Sequence, residues 1–139
     1  MTDGRGVPLG LFVASSNRHD MKLTKSTFES FIVERPPVTE EKPQHFCADK
    51  GYDYPEVDTI IDQWGYTGHI SRRGEDTQQR QQIPGYRSRR WVVERTHSWM
   101  NRFRALLIRW EKKVANYLAL LHFACAWISF RAAGVIKTL

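Results

Sequence analysis

Residues 89–113, RRWVVERTHSWMNRFRALLIRWEKK, contain neither glycine nor proline. A breaker-free run of that length is enough for more than about six helical turns. Apolar residues recur at Val92, Trp99, Phe103, Leu106, Leu107 and Trp110, the spacing that lays one stripe along a helix. The pattern predicts one long helix with that stripe, tryptophans included, buried. Such a stripe needs a partner surface, and the chain offers one just downstream. From Tyr117 to about Ala133 the residues are apolar on most sides, with Leu118, Leu120, Leu121, Phe123, Ala124 and Ile128. This predicts a second helix, capped by Asn116 and closed by Gly134, packed in the core against the first. Its apolar run is interrupted by His122 and falls short of the ~20 residues a bilayer span needs, so no membrane partner is expected.

The long helix also carries chemistry. Glu94 stands among Arg90, Arg95, Arg102 and Arg104. On a helix Glu94, His97, Ser98 and Asn101 share one face. A lone acid among guanidinium groups suggests a place where phosphates and a metal meet, and it needs a second acid from elsewhere. The best candidate is Asp49. Residues 44–49, QHFCAD, are apolar at the centre and read as a buried strand. Asp49 closes it, at the end where open α/β sheets place functional groups. Carboxylates suit Mg²⁺ or Mn²⁺, and such ions activate the attacking oxygen and stabilise the leaving one in phosphodiester displacement. The structural alternative for each acid, a cap or a buried group, stays open at this level.

The remaining segments supply the frame. Asp3-Gly4-Arg5-Gly6 is hairpin-turn chemistry, followed by a strand over 7–14, with too little chain at Met1-Thr2 to form its partner. A helix is expected next, capped by Asp20 or Asn17 and using Met21, Leu23, Phe28, Phe31 and Ile32. His19 reads as a surface or cap-supporting histidine, with nucleic-acid contact as the alternative. Three prolines make 34–43 a loop. Asp53 followed by Glu56 has the pattern of a capping box for a helix running to about Trp64, with Val57, Ile60, Ile61 and Trp64 on one side and Gly65 closing it. Residues 66–70 read as a weak strand. Residues 71–89 are polar and basic and are expected to be a mobile loop. The arginines Arg72, Arg73, Arg80, Arg87 and Arg89 suit phosphate contact, or simply a solvated loop.

At 139 residues a single domain is expected. A formal charge of +6 favours polyanionic partners, nucleic acid above all. Cys47 and Cys125 are far apart and lack metal-type spacing. They read as buried packing in a reducing cytosol. The start MTDGRG has no apolar signal region, so a cytoplasmic protein is expected.

ADKGYD at 48–53, WVVERTHSWMNRFRALLIRWEKK and NYLALLHFACAWI together resemble the C-terminal part of bacterial insertion-sequence transposases of the DDE class, specifically the insertion-sequence-5 family. TDGRGVPLG and NRHDMKL resemble that family's middle region. The resemblance implies an α/β, RNase H-like fold, a mixed sheet with flanking helices, here lacking its first strand and ending in two packed helices. It also implies cleavage and joining of double-stranded DNA at element ends with Mg²⁺, in the bacterial cytoplasm at the nucleoid. By position, Asp49 resembles the second catalytic Asp, Glu94 the catalytic Glu, and Arg90 the Arg four residues before it in the Y-R-E-K signature. The signature's Tyr position holds Arg87, beside Tyr86, and its Lys position holds Asn101, beside Arg102. The family's first Asp lies upstream of the TDGRG turn and has no counterpart here, so the chain resembles a second reading frame or a truncated copy. An upstream transposase segment, or a second copy in a homodimer, could cover the exposed sheet edge. Arg72, Arg73, Arg87, Arg89, Arg95, His97, Arg102 and Arg104 are the expected DNA contacts. A solvated face is the equal reading for the helix-borne arginines, and a structural role the alternative for His97. Three functions follow: part of a DNA-cutting enzyme, a DNA- or transposase-binding regulator, or an inactive remnant.

Overall fold

A computed structural model describes residues 1–70 and 90–134, with Arg90 described at its backbone only. The chain divides into two compact units, Ala14–Ser88 and Met1–Val13 with Arg89–Leu139. The expected loop at 71–89 lies outside the described residues.

The Ala14–Ser88 unit is an α/β layer. Strand β1 (His45–Ala48) and strand β2 (Thr67–Ile70) pair in parallel, with His45 opposite Thr67 and Ala48 opposite Ile70. Helix α2 (Pro55–Gln63) makes the crossover between them. Its Val57 and Ile61 are 0% and 1% exposed and form the core with Ile70; Phe46, Ala48, Tyr52, Tyr54 and Tyr66 pack around them. This is the i, i+4 pair that the helical period puts on one face. Helix α2 starts differently from the capping-box expectation. Its N-cap is Tyr54, without a side-chain cap, and Pro55 opens the first turn, where its missing N–H costs nothing. Gly65 closes the helix at φ +66, as expected.

Upstream, a 3-10 turn (Asp20–Leu23) leads into helix α1 (Thr24–Glu29). The expected helix is shorter than the apolar pattern suggested. The N-cap of the turn is His19 and that of α1 is Leu23, neither with a side-chain bond, so neither Asp20 nor Asn17 is the cap, and Ile32 is 83% exposed beyond the end of α1. Phe28 is 1% exposed and gathers rings: Trp64 stacks on it at 5.3 Å, with Phe46 and Tyr66 at 5.3 and 5.4 Å. Arg35 ties the proline loop to this cluster. Its Nε donates to Gln44 Oε1, its Nη1 to the Trp64 carbonyl, and its guanidinium lies 3.8 Å from the Tyr66 ring centroid.

The unit of Met1–Val13 and Arg89–Leu139 is mainly helical. The single long helix of the sequence reading is interrupted. Helix α3 (Arg90–Met100) stops, a turn intervenes, helix α4 (Arg104–Leu107) is short, and helix α5 (Val114–Ala132) follows. The interruption has a local form: Arg102 N and Phe103 N bond three residues back, to Trp99 and Met100, and Phe103 is extended at φ -85, ψ 98. Tightened bonds of this kind end an α-helix without glycine or proline. The stripe is interrupted with it. Val92 is buried, but Leu107 is 59% and Trp110 72% exposed. Lys113, not Asn116, caps α5, and Asn116 Nδ2 donates to Glu111 instead. Only Ala124 and Ile128 of α5 are buried. Cys47 is exposed and Cys125 half-buried, so Cys47 is not the packing residue expected.

The N-terminal segment closes on itself more fully than expected. Asp3 N bonds Val7 O at 2.9 Å, Leu9 N bonds Met1 O at 3.0 Å, and Thr2 bridges Pro8. Residues 1–2 therefore do pair. The strand expected over 7–14 is reduced to that bridge. Pro8 donates nothing to a ladder.

Truncating Ile61 should expose how much of the α/β layer hangs on it. Ile61→Ala should cost about 2–5 kcal/mol in urea unfolding, while Ile32→Ala, at an exposed position, should stay within about 0.5 kcal/mol.

Candidate active site

Asp49 follows β1 directly. Its side chain caps a 3-10 turn (Lys50–Tyr52), with Oδ1 accepting from Gly51 N at 2.8 Å. A Cβ at Gly51 would stand 2.9 Å from Asp49 Oδ1, so a larger residue there would displace the carboxylate. The carboxylate is therefore exposed yet held by its own backbone, and a carboxylate with one such bond retains acceptor capacity for a metal. Tyr52, at the end of this turn, reports the local charge. Burial pushes its phenol above the ordinary range, and the carboxylates of Asp20 and Asp49 push it further.

Glu94 is carried by α3 and is exposed, as are His97 and Ser98 on the same face. Asn101 lies one residue past the helix. The register of α3 against the N-terminal turn is set on the opposite side. Thr96, 3% exposed, donates its hydroxyl to Gly6 O at 2.7 Å. Gly6 adopts φ +88, and a Cβ there would meet Thr96 Oγ1 at 3.1 Å and Val92 O at 3.3 Å. Only glycine lets the turn come this close. The turn's carbonyls thereby fix which face of α3, and so which side of Glu94, points outward.

The predicted arginines separate into groups. Arg72, Arg73, Arg80, Arg87 and Arg89 lie outside the described residues, and Arg90 is the first residue of α3. Arg95 lies over the Trp91 ring at 4.3 Å and near Trp99 at 5.8 Å, and its Nη1 bonds Arg5 O at 3.4 Å. Trp91 is 46% exposed, so this tryptophan is a surface platform, not core. Arg102 and Arg104 are exposed. Asp49 belongs to the Ala14–Ser88 unit and Glu94 to the other. Among the described residues, no three His, Cys, Asp or Glu side chains come together as a metal cluster.

A family model described as "Transposase DDE domain" matches residues 1–129. The chain belongs to that family. A Burkholderia cepacia protein named "Putative transposase for insertion sequence element IS402" is 28% identical over 142 residues. That match covers 96% of this chain but 63% of the relative, so the chain spans under two thirds of that protein's length. No solved structure matches the chain. In this DDE-domain chain the match takes in Asp49, Glu94 and the Gly6–Thr96 contact alike.

Sequence reading places a tight backbone path at Gly51 but does not single out Thr96 or Tyr52. Thr96 carried a usable signal. It falls four residues after Val92, on the side meant for burial, where a polar residue implies a hydrogen-bond partner.

Two measurements test this geometry. Thr96→Val keeps the shape but leaves the Gly6 carbonyl unpaired, and should cost about 1–3 kcal/mol in denaturant unfolding. The raised Tyr52 value favours the neutral phenol in the fold, so its stabilisation is complete below about pH 10 and is lost as pH rises through the folded value. In ultraviolet difference titration against Tyr52→Phe, Asp49→Asn should lower the Tyr52 transition yet leave it above the ordinary range, because burial remains.

Proposed function

We propose that this chain is the C-terminal part of an RNase H-like DDE transposase of the insertion-sequence-5 type, both units forming one catalytic domain. It cuts and joins double-stranded DNA at insertion-sequence ends by metal-assisted phosphoryl transfer. The observation that carries this reading is the family match over residues 1–129, which takes in a strand-end Asp49 and a helix-borne Glu94, both exposed. Asp49 and Glu94 are the proposed metal ligands. Their donor chemistry fits Mg²⁺ or Mn²⁺, hard ions that prefer carboxylate oxygen. The ion, when bound, supplies charge stabilisation at the reacting phosphate and a more acidic attacking hydroxyl.

The protein's own groups hold and orient. Gly51 N fixes one Asp49 oxygen, and Thr96 with Gly6 fixes the roll of the helix that carries Glu94. Arg90, four residues before Glu94, is proposed to orient that carboxylate or the scissile phosphate. Arg72, Arg73, Arg87, Arg89, His97, Arg102 and Arg104 are proposed DNA contacts. Arg95 is proposed to act through its tryptophan platform, since its guanidinium is already engaged. With 63% of a relative's length represented, full activity is proposed to require an upstream segment that supplies a further acid. A chain acting without catalysis, as a DNA- or transposase-binding regulator, is the alternative reading.

The test is Mn²⁺-dependent cleavage of element-end DNA by this chain joined to the upstream segment. Asp49→Ala and Glu94→Ala should each remove several kcal/mol of metal stabilisation, about 10³-fold in rate. Cleavage at the parent rate in either variant would end the catalytic assignment.

A further inference from the structure

The Ala14–Ser88 unit holds a cavity that the carboxylate chemistry leaves unused. Its volume is about 600 Å³, and it is lined by Asn17, Arg18, His19, Met21, Lys22 and Tyr54. Two tight turns build it. Arg18 N bonds Ser15 O and Lys22 N bonds His19 O, each at 3.0 Å, so residues 18, 19 and 22 are folded back onto one rim. His19 meets the Tyr54 ring edge-on at 6.2 Å, which anchors the rim to the segment leading into α2.

The lining is one-sided in charge. It contains two fixed cations, a histidine and an amide, and no carboxylate. Among the described residues neither Arg18 nor Lys22 has an ion-pair partner; the ion pairs there are Arg5 with Asp3 and Lys25 with Glu29. Ser15 Oγ donates to Asn17 Oδ1 at 2.6 Å, which occupies the amide's acceptor and leaves Nδ2 as a donor. Asp20 stands on the same turn as Lys22 but does not line the cavity. The turn Asp20–Leu23 packs against the turn Lys50–Tyr52, which Asp49 caps, inside one unit.

We propose that this cavity is a phosphate subsite that seats a backbone phosphate of the DNA strand held near Asp49, with Arg18 and Lys22 supplying charge and Asn17 a neutral donor. Unpaired cations facing a concave, acid-free space are what a phosphodiester requires. The proposal rests on the DNA-processing reading above and adds to it contacts by residues other than the arginines of 72–104.

The experiment is fluorescence anisotropy of the full chain with a labelled duplex of arbitrary sequence, across a series of KCl concentrations with metal chelated. Each phosphate contact contributes about 0.9 to the slope of log affinity against log salt. Arg18→Ala combined with Lys22→Ala should reduce the slope by about 0.9, the loss of one phosphate contact. Lys25→Ala with Lys42→Ala, the same charge removed elsewhere in the unit, should leave it unchanged. An unaltered slope in the first pair, with the wild-type chain binding, would overturn the subsite and leave the transposase reading standing. Equal slope losses in the two pairs would also overturn it, since net charge would then suffice. No wild-type binding even at low salt would sink the DNA-processing reading itself. In that case inorganic phosphate shifting the His19 ring resonances would reassign the cavity to a free anion, and overturn the DNA assignment.

Discussion

Val57 and Ile61, one helical turn apart and sealed from water, are the contact on which the Ala14–Ser88 unit depends. Two parallel strands with four register pairs cannot stand alone in water. Helix α2 covers one face of them, and that cover fixes where β1 ends. Asp49 follows at that end, and the 3-10 turn that follows seats Tyr52 against the same core. An acid that would otherwise wander on a loop is thereby given a defined place. Burial raises the Tyr52 phenol above its ordinary range, and the carboxylates of Asp20 and Asp49 add to that rise. The helix-side acid is placed by a different device. There a glycine at positive φ lets a turn's carbonyl reach a buried threonine hydroxyl, and the helix is locked on the side away from Glu94's face.

The two devices share a logic. In each, the acid itself is exposed and makes few demands on packing, while glycine and a short hydrogen bond beside it fix the backbone. Carboxylates meant for a metal benefit from such an arrangement, because a buried, fully bonded acid has no lone pairs to offer and a loosely held one must be ordered at the moment of binding. Among the arginines proposed for DNA contact, Arg102 and Arg104 are exposed, whereas Arg95 is engaged within the fold. Stacked on Trp91 and bonded to the turn at Arg5, it serves the local fold as much as any ligand.

Much of the α/β layer was legible because its signals are periodic. Phe46 in β1, the Val57–Ile61 pair and Gly65 as a stop each correspond to a structural role. Residues 66–70 were recognised despite weak composition because β2 begins one residue on, at Thr67. The helical unit was less legible. No glycine or proline marks the interruption after Met100; it arises from three-residue bonds around Phe103 that composition does not encode. With that turn the stripe loses its continuity, which is why Trp110 and Leu107 end up exposed when spacing alone would bury them. Caps misled in the same way. Asp53 with Glu56 has the pattern of a capping box, yet Pro55 places the helix start one residue later, at Tyr54. At the site, the acids were visible as residue types and Gly51 as a tight backbone path, but the partner of Thr96, the Gly6 carbonyl 90 residues away, could not be read from spacing.

The central claim is that Asp49 and Glu94 grip one divalent ion. Iron-directed backbone cleavage tests it most directly: Fe²⁺ is bound in place of Mg²⁺, peroxide and ascorbate are added, and the fragments of the full chain are mapped. Radicals released at the ion cut only the nearby backbone, so a shared site predicts paired cuts beside Asp49 and beside Glu94, both suppressed by excess Mg²⁺. Cuts at one of these positions without the other would contradict the account.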